Sequence, residues 1–256
     1  MSVMETWLAA LPFLLGAAAL TWIVSVVKRN VTIVDTLWSL LFVIAAAVYA
    51  ASADVPSQRA WLVLCLVGLW GVRLAAYLAW RNRGHEEDRR YQAIRRRNEP
   101  NFALKSLWLI FGFQAVLAWI ISLPLVGAVV SDTPLGLLDW LGVALWAVGV
   151  FFEAVGDWQL ARFKADPANA GKVMDTGLWR YTRHPNYFGD FCAWWGFYLL
   201  ALSAGAWWSI VGPLIMSFLL LRFSGVRLLE RDIGERRPAY AEYVRRTNAF
   251  FPGPRR

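Results

Sequence analysis

Residues 7–27 read WLAALPFLLGAAALTWIVSVV, and Lys28-Arg29 close the run. A helix needs about 20 mostly apolar residues to cross a hydrocarbon core of about 30 Å, and this stretch supplies them without a charge. A cleaved leader fits poorly, because no basic segment precedes the run and no small-residue cleavage site stands before Lys28. The same test, carried along the chain, finds a second run at 31–52 interrupted by Asp35 and a third at 61–80 holding Arg73. A fourth at 107–130 has Gln114 as its most polar member, and a fifth at 135–157 contains Asp139, Glu153 and Asp157. Residues 191–221 lack charge altogether. They are too many for one span and suit two, about 187–203 and 206–226, joined at Ser203-Ala204-Gly205-Ala206. The prediction is an all-α integral membrane protein with seven transmembrane helices in a single membrane domain over 1–256. Loops 81–106 and 158–186 and a tail 227–256 lie outside the bilayer.

Composition agrees. The chain is 58% hydrophobic with 16 Trp and only 17% charged residues, against about 25% charged in a soluble domain. Soluble, secreted, disordered and fibrous classes are excluded. The net charge of +8 would suggest nucleic acid in a soluble protein, but placement decides its meaning. With seven spans, 24 of the 26 Lys and Arg fall in the loops after spans one, three and five and in the tail, leaving Arg59 opposite and Arg73 within a span. The positive-inside rule then puts the N-terminus outside and the C-terminus in the cytoplasm. No nucleic-acid partner is expected and no obligate protein partner is evident; the expected partners are membrane lipids and a lipophilic small molecule. Cys65 and Cys192 both sit in apolar runs. They read as buried thiols, with no disulfide framework and no zinc site.

Charges within hydrocarbon are costly, so each marks a candidate site. Asp35 and Arg73 either pair as a structural bridge between spans two and three or carry chemistry. Asp139, near a span end, reads as solvated. Glu153 and Asp157 are four apart and share a helix face, where their like charges repel unless a cation or hydroxyl-rich ligand meets them. Beyond them, Thr176-Gly177-Leu178-Trp179-Arg180-Tyr181-Thr182-Arg183-His184-Pro185-Asn186-Tyr187-Phe188-Gly189-Asp190 is the densest run of hydrogen-bonding and cationic groups in the chain. Pro185 suits the first turn of span six, and helix N-termini favour anions such as pyrophosphate. The bland alternative is a basic loop lying on headgroups. The tail, with Tyr240, Tyr243, Arg245-Arg246 and Phe250-Phe251, reads as an interfacial cap or a cofactor clamp, and so does the segment from Arg81 to Arg97. No GxGxxG follows a strand, so a Rossmann site is not expected. Trp38, Trp70, Phe113, Trp119 and Trp194 either line an apolar pocket or pack between spans.

The stretch from Gly177 to Asp190, with the tail after it, resembles the C-terminal half of the steroid 5-alpha-reductase superfamily. Val34-Asp35-Thr36-Leu37-Trp38, Glu87-Asp88-Arg89-Arg90-Tyr91 and Asp157-Trp158-Gln159-Leu160 extend the resemblance, over nearly the whole chain, to its bacterial branch. The resemblance implies a multi-pass bacterial inner-membrane protein. It also implies seven helices that hold NADPH between the membrane helices and the cytoplasmic loops. Glu153 and Asp157 would stand where the steroid enzymes carry Asn and Asp cofactor ligands, and Lys164 and Lys172 for phosphate-contacting arginines. Asn186 and Asp190 would stand for an Asn and a Glu, and Asn82-Arg83-Gly84 matches an Asn-Arg-Gly after span three. Tyr181, Arg183, His184 and Tyr243 complete the candidate cofactor set. Those enzymes grip the substrate carbonyl with a Glu in span two and a Tyr in span three; this chain has Asp35 near the first position and Gly71 at the second. Related membrane methyltransferases using S-adenosylmethionine share an Arg-His-Pro-x-Tyr motif but show a paired Glu in the tail, where this chain has Glu230-Arg231-Asp232.

The expected activity is NADPH-dependent reduction of a carbon-carbon double bond conjugated to a carbonyl, in a steroid-like or other lipophilic substrate. The alternatives are an S-adenosylmethionine-dependent membrane methyltransferase and a transporter-like protein, the last disfavoured by the absence of an internal repeat. Such a reduction needs a hydride, a proton and a group that stabilises the enolate oxygen. Asp35 in its neutral form is the first candidate for that group, Arg73 oriented by an ionised Asp35 the second and Tyr91 the third. On this reading the cytoplasmic ends of spans five to seven close over a nucleotide that reaches toward Asp35.

Overall fold

The computed structural model describes residues 1–53, 55–223 and 239–255. Helix α1 (Val3–Lys28) starts ahead of the apolar run because Ser2 and Glu5 form a capping box. Ser2 Oγ accepts from Glu5 N (3.2 Å) and Glu5 Oε2 accepts from Ser2 N (2.8 Å), satisfying two of the amides a helix start leaves orphaned. Then follow α2 (Ile33–Ala51), α3 (Gln58–Asn82), α4 (Arg89–Asn98) and α5 (Phe102–Ile121), the last with a wider π turn over Leu107–Gly112. The chain continues with α6 (Leu123–Val129), α7 (Leu137–Ala165), α8 (Pro185–Ser203), α9 (Val211–Phe218) and α10 (Ala239–Arg246).

There is no strand among the described residues. Helices α1, α2, α3, α5 and α7 are long and apolar enough to cross a membrane. Helix α8 has the length, 19 residues, but Asn186, Asp190 and two Trp lower its hydropathy, and 207–222 forms only a shorter apolar stretch. Five helices therefore meet the length-and-apolarity measure where seven spans are expected. The last residues of the predicted seventh span, 224–226, and the tail pattern Glu230-Arg231-Asp232 lie outside the described residues. The predicted fourth span, 107–130, is divided. Ser122 Oγ donates to Trp119 O (2.7 Å) as α5 ends, and Pro124 sits in the first turn of α6, where its missing N–H costs nothing.

The described residues form two compact units, Met1–Leu135 with Ala201–Ser209 and Gly136–Leu200 with Ile210–Arg256. In lipid, tails solvate apolar side chains as well as Leu does, so close packing and hydrogen bonds hold spans together. In the first unit α2 meets α3 at Gly71. A Cβ there would stand 2.6 Å from Val43 Cγ2, and Ser39 Oγ donates to Gly71 O at 2.8 Å. Tyr49 and Ser122 share a 2.6 Å hydrogen bond. Trp7 stacks on Trp119 with centroids 3.7 Å apart, and each indole N–H donates to the other residue's carbonyl, at 3.1 and 2.8 Å. Arg59 is buried and donates to Thr133 O (2.9 Å), Thr133 Oγ1 (2.7 Å) and Pro134 O (3.0 Å), fixing the turn before α7. Trp70 and Trp194 are fully buried and pack against Phe42 and Phe197, while Trp119 belongs to the Trp7 stack.

In the second unit α7 and α8 touch backbone to backbone through glycines seven apart. A Cβ on Gly142 would come 2.8 Å from Gly196 O, and one on Gly149 would come 2.5 Å from Gly189 O and 2.6 Å from Ala193 N. Gly156, one further heptad along, faces Pro185. The seven-residue spacing keeps all three on one seam of α7.

Two expectations are corrected. Asp139 is 0% exposed, not solvated, and its Oδ2 accepts from Gly136 N at 2.8 Å, because a carboxylate in the first turn caps the helix amides. Cys65 is exposed on α3 rather than buried; an apolar run in a membrane helix has an outward face as apolar as its inward one.

Candidate functional site

In the first unit the two motifs Val34 to Trp38 and Glu87 to Tyr91 meet. Asp35, in the first turn of α2, accepts from Tyr91 Oη at Oδ1 (2.6 Å) and from Arg90 at Oδ2 (3.0 Å). Arg90 also donates through Nε to Asp88 Oδ1 at 2.9 Å, and Asp88 caps α4 by accepting from Arg90 N. The segment before α4 is seated on the start of α2. Asp88 N donates to Thr32 Oγ1 (2.9 Å), and Glu87 Oε1 accepts from Val31 N (2.9 Å) while Arg95 grips both Glu87 oxygens at 2.8 and 2.9 Å. Arg95 in turn lies 4.4 Å over the Phe102 ring.

The electrostatics follow. Burial, then the neighbouring Asp35 charge, hold the Tyr91 phenol well above its ordinary 10, so it is a neutral donor at any physiological pH. Burial works against the Arg90 charge, but Asp35 and Asp88 outweigh it and its pKa rises. Burial also opposes ionised Glu87 and Asp88, yet the hydrogen bonds and charges of Arg95 and Arg90 prevail and both fall below the ordinary carboxylate range.

Expected candidates Asp35 and Tyr91 thus come together, with Arg90 as the cation against Asp35, a residue no span pattern singles out. The available signal was its place next to Tyr91. Arg73 lies on α3, and Gln114, just beyond the π turn of α5, donates through Nε2 to Tyr91 Oη at 3.5 Å. Asn82-Arg83-Gly84 forms a tight turn in which His85 N donates to Asn82 O (3.2 Å) and Gly84 has φ +75°. A type II turn requires that positive φ and so favours Gly there.

In the second unit the glycine seam carries α7 and α8 to a group of buried polar residues. Glu153 and Asp157 on α7 and Asp190 on α8 are buried, and Asn186 Nδ2 donates to Asp157 Oδ1 at 3.3 Å. Gly189 lies against Glu153, where a Cβ would come 3.0 Å from Glu153 Cβ. His184 is buried and stacks on Tyr187. Arg183 is committed to the tail, donating to Thr247 O (2.6 Å) and Val244 O (3.2 Å), while Tyr243 Oη donates to Trp179 O at 2.5 Å. Thr182 Oγ1 adds a 2.7 Å bond to Phe250 O. Burial is the first cause that holds the Tyr243 phenol above its ordinary value. Tyr181, Lys164 and Lys172 are exposed.

A cleft of about 320 Å³ opens beside this group, lined by Trp158, Gln159, Arg162, Phe163, Asn169 and Thr176 among others. Gly177 forms its edge at φ +60°, a backbone conformation that favours glycine, with the Gln159 side chain packed against it. Sequence reasoning missed the cleft, since Gln159 and Asn169 carry no spacing signal. Among the described residues no group of His, Cys, Asp and Glu is arranged to hold a metal ion.

Five membrane-length helices without strands, carrying polar clusters at helix ends, define a multi-pass helical membrane protein among the described residues. The chain belongs to the family described as Protein of unknown function (DUF1295), which matches residues 21–247 and so spans the motifs at 34–38, 87–91, 157–160 and 177–190. It is similar to the Schizosaccharomyces pombe (strain 972) protein named Uncharacterized protein C594.04c, with 28% identity over 279 residues covering 94% of this chain and 78% of that one. No solved structure matches.

Proposed function

We propose that this protein is an NADPH-dependent reductase of the steroid 5-alpha-reductase superfamily, acting on a carbon-carbon double bond conjugated to a carbonyl in a lipophilic substrate. The proposal includes seven spans, an outside N-terminus and a cytoplasmic C-terminus, in a bacterial inner membrane. What carries it is the 2.6 Å hydrogen bond from Tyr91 Oη to Asp35 Oδ1, with Arg90 on the other oxygen. The family's association with steroid 5-alpha-reductase-like proteins supports it.

Tyr91 is the group that meets the carbonyl. Its phenol keeps its proton, so on substrate arrival it turns that hydrogen from Asp35 to the carbonyl oxygen and stabilises the enolate as negative charge develops there. Arg90 balances the carboxylate left behind, and Asp35 returns the phenol to its orientation afterwards. A Tyr at position 71 has no room, because Val43 and the Ser39 carbonyl fill the space. Tyr91, arriving from α4, therefore takes the role the steroid enzymes give to span three.

The donor set of the second unit suits a dinucleotide. Buried carboxylates at Glu153, Asp157 and Asp190 would accept from its hydroxyls, Asn186 would offer an amide, and exposed Lys164 and Lys172 would answer its phosphate charge. Arg183 and Tyr243 hold the surrounding loop and tail in place. When bound, NADPH would supply the hydride that this reduction requires.

The test is thermal unfolding of the detergent-solubilised chain, since a ligand that binds only the folded state adds about 2.7 kcal/mol at a hundredfold excess over Kd. NADPH is expected to raise the melting temperature and S-adenosylmethionine to leave it unchanged; stabilisation by S-adenosylmethionine alone, or by neither, refutes the reading. Asp35→Asn should keep NADPH binding and lose turnover of an apolar enone, followed as loss of NADPH absorbance. Asn186→Ala and Asp157→Ala should weaken NADPH binding.

A further inference from the structure

Helix α4 turns two sets of arginines in opposite directions. Arg90 and Arg95 point inward, onto Asp35, Asp88 and Glu87. Arg89, Arg96 and Arg97 are exposed. At i, i+7 and i+8 they lie along one helix face, with Ala93 between them and no acid on it. The acids that precede the helix, Glu87 and Asp88, are already answered by Arg95 and Arg90. Glu86 and Glu99 lie beyond the helix ends. On either side of α4 stand the end of α3 at Asn82 and the start of α5 at Phe102, two membrane-length helices of the same unit. Short helices with one buried face and one basic face, tethered where spans leave the hydrocarbon, lie at headgroup level.

We propose that the outer face of α4, through Arg89, Arg96 and Arg97, binds the phosphate of an anionic phospholipid headgroup. Planar guanidinium forks match phosphate oxygens in paired hydrogen bonds, and the face offers three such forks with nothing negative among them. The lipid is the favoured source of phosphate because the helix is pinned at the membrane edge by its inward contacts. The inference does not depend on the reaction assigned above. It gives the membrane a handle on the helix that carries Tyr91.

The probes are short-chain phosphatidylglycerol and short-chain phosphatidylcholine, titrated into the detergent-solubilised full chain with bound lipid counted by native mass spectrometry. A basic residue near an anionic lipid surface is worth about fivefold in affinity, so the three together give about a hundredfold. Phosphatidylglycerol should bind far tighter than phosphatidylcholine. The preference should fall about a hundredfold in the Arg89→Gln, Arg96→Gln, Arg97→Gln variant and be recovered only in part when the same three positions become Lys, which keep the charge but lose the fork. Helix content by circular dichroism checks that the variants fold. Should the triple variant fail there, Arg96→Gln with Arg97→Gln removes two exposed side chains only and should lower the preference about twenty-five-fold. Equal binding of the two lipids by the wild type overturns the proposal. So does a preference untouched by the Gln variants, or equal competition by inorganic phosphate or an RNA oligonucleotide.

Discussion

Gly149→Ala adds one methyl group where the structure leaves no space for it. Its Cβ would stand 2.5 Å from Gly189 O and 2.6 Å from Ala193 N, both backbone atoms of α8. No rotamer change relieves that, so α8 retreats by roughly 0.9 Å to reach an ordinary contact of about 3.4 Å. An equal opening along the seam takes the Asn186 Nδ2–Asp157 Oδ1 distance from 3.3 Å to roughly 4 Å, beyond hydrogen bonding. Overpacking costs about 1–3 kcal/mol and the lost bond to a carboxylate about 1.5–3 kcal/mol. Ala in place of Gly returns at most about 1 kcal/mol of helix propensity. The net loss is about 2–5 kcal/mol, or roughly 4–20 °C in melting temperature for a chain of this size. The assay is thermal unfolding in detergent followed by tryptophan fluorescence, with Gly16→Ala as the control. Nothing lies within 4 Å of a Cβ at Gly16, so the identical substitution there should leave stability unchanged or raise it. A Gly149→Ala protein as stable as the wild type, or a Gly16→Ala protein equally damaged, would refute the packing argument.

Three more outcomes follow from named contacts. Glu87, held below its ordinary 4.5 mainly by Arg95 against the opposing effect of burial, contributes stability that is complete above 4.5 and is lost as pH falls, because the unfolded chain takes up the proton first. Melting temperature should therefore drop below pH 4.5, and drop less steeply in Glu87→Gln. Arg59→Met leaves the carbonyls of Thr133 and Pro134 without the donors they now have, at about 1–3 kcal/mol each, so melting should fall by roughly 5–20 °C; an unchanged transition would show the clamp to be idle. Gly71→Tyr should fail to yield folded protein by gel filtration, since Val43 Cγ2 and Ser39 O occupy the position, and a well-folded variant would show that α2 and α3 can part.

Much of the helical layout was legible from apolar run length, because in hydrocarbon a backbone has few ways to satisfy itself other than a helix. Helix ends were less so. Ser2 with Glu5 and Asp139 with Gly136 set two starts through caps that hydropathy does not register. The break at Ser122 was written in Pro124, which hydropathy also passes over. At the candidate site, Asp35 and Tyr91 were visible as polar residues in telling places, but their union depends on how the segment at 83–88 folds onto the start of α2. No pattern encodes that fold-back except the hydrogen bonds of Glu87 and Asp88. The heptad of Gly142, Gly149 and Gly156 was present in the sequence all along. Small residues carry no hydropathy signal, and their meaning appears only when the facing glycines of α8 are known.

The Trp7–Trp119 stack has an optical consequence. Two indoles held parallel at 3.7 Å couple their excited states, and a coupled pair gives a bisignate band in the ultraviolet circular dichroism that isolated chromophores lack. Peeling α1 away from α5 would abolish that band while the helical signal persisted. The chain thus carries an intrinsic, label-free gauge of whether α1 and α5 stay zipped.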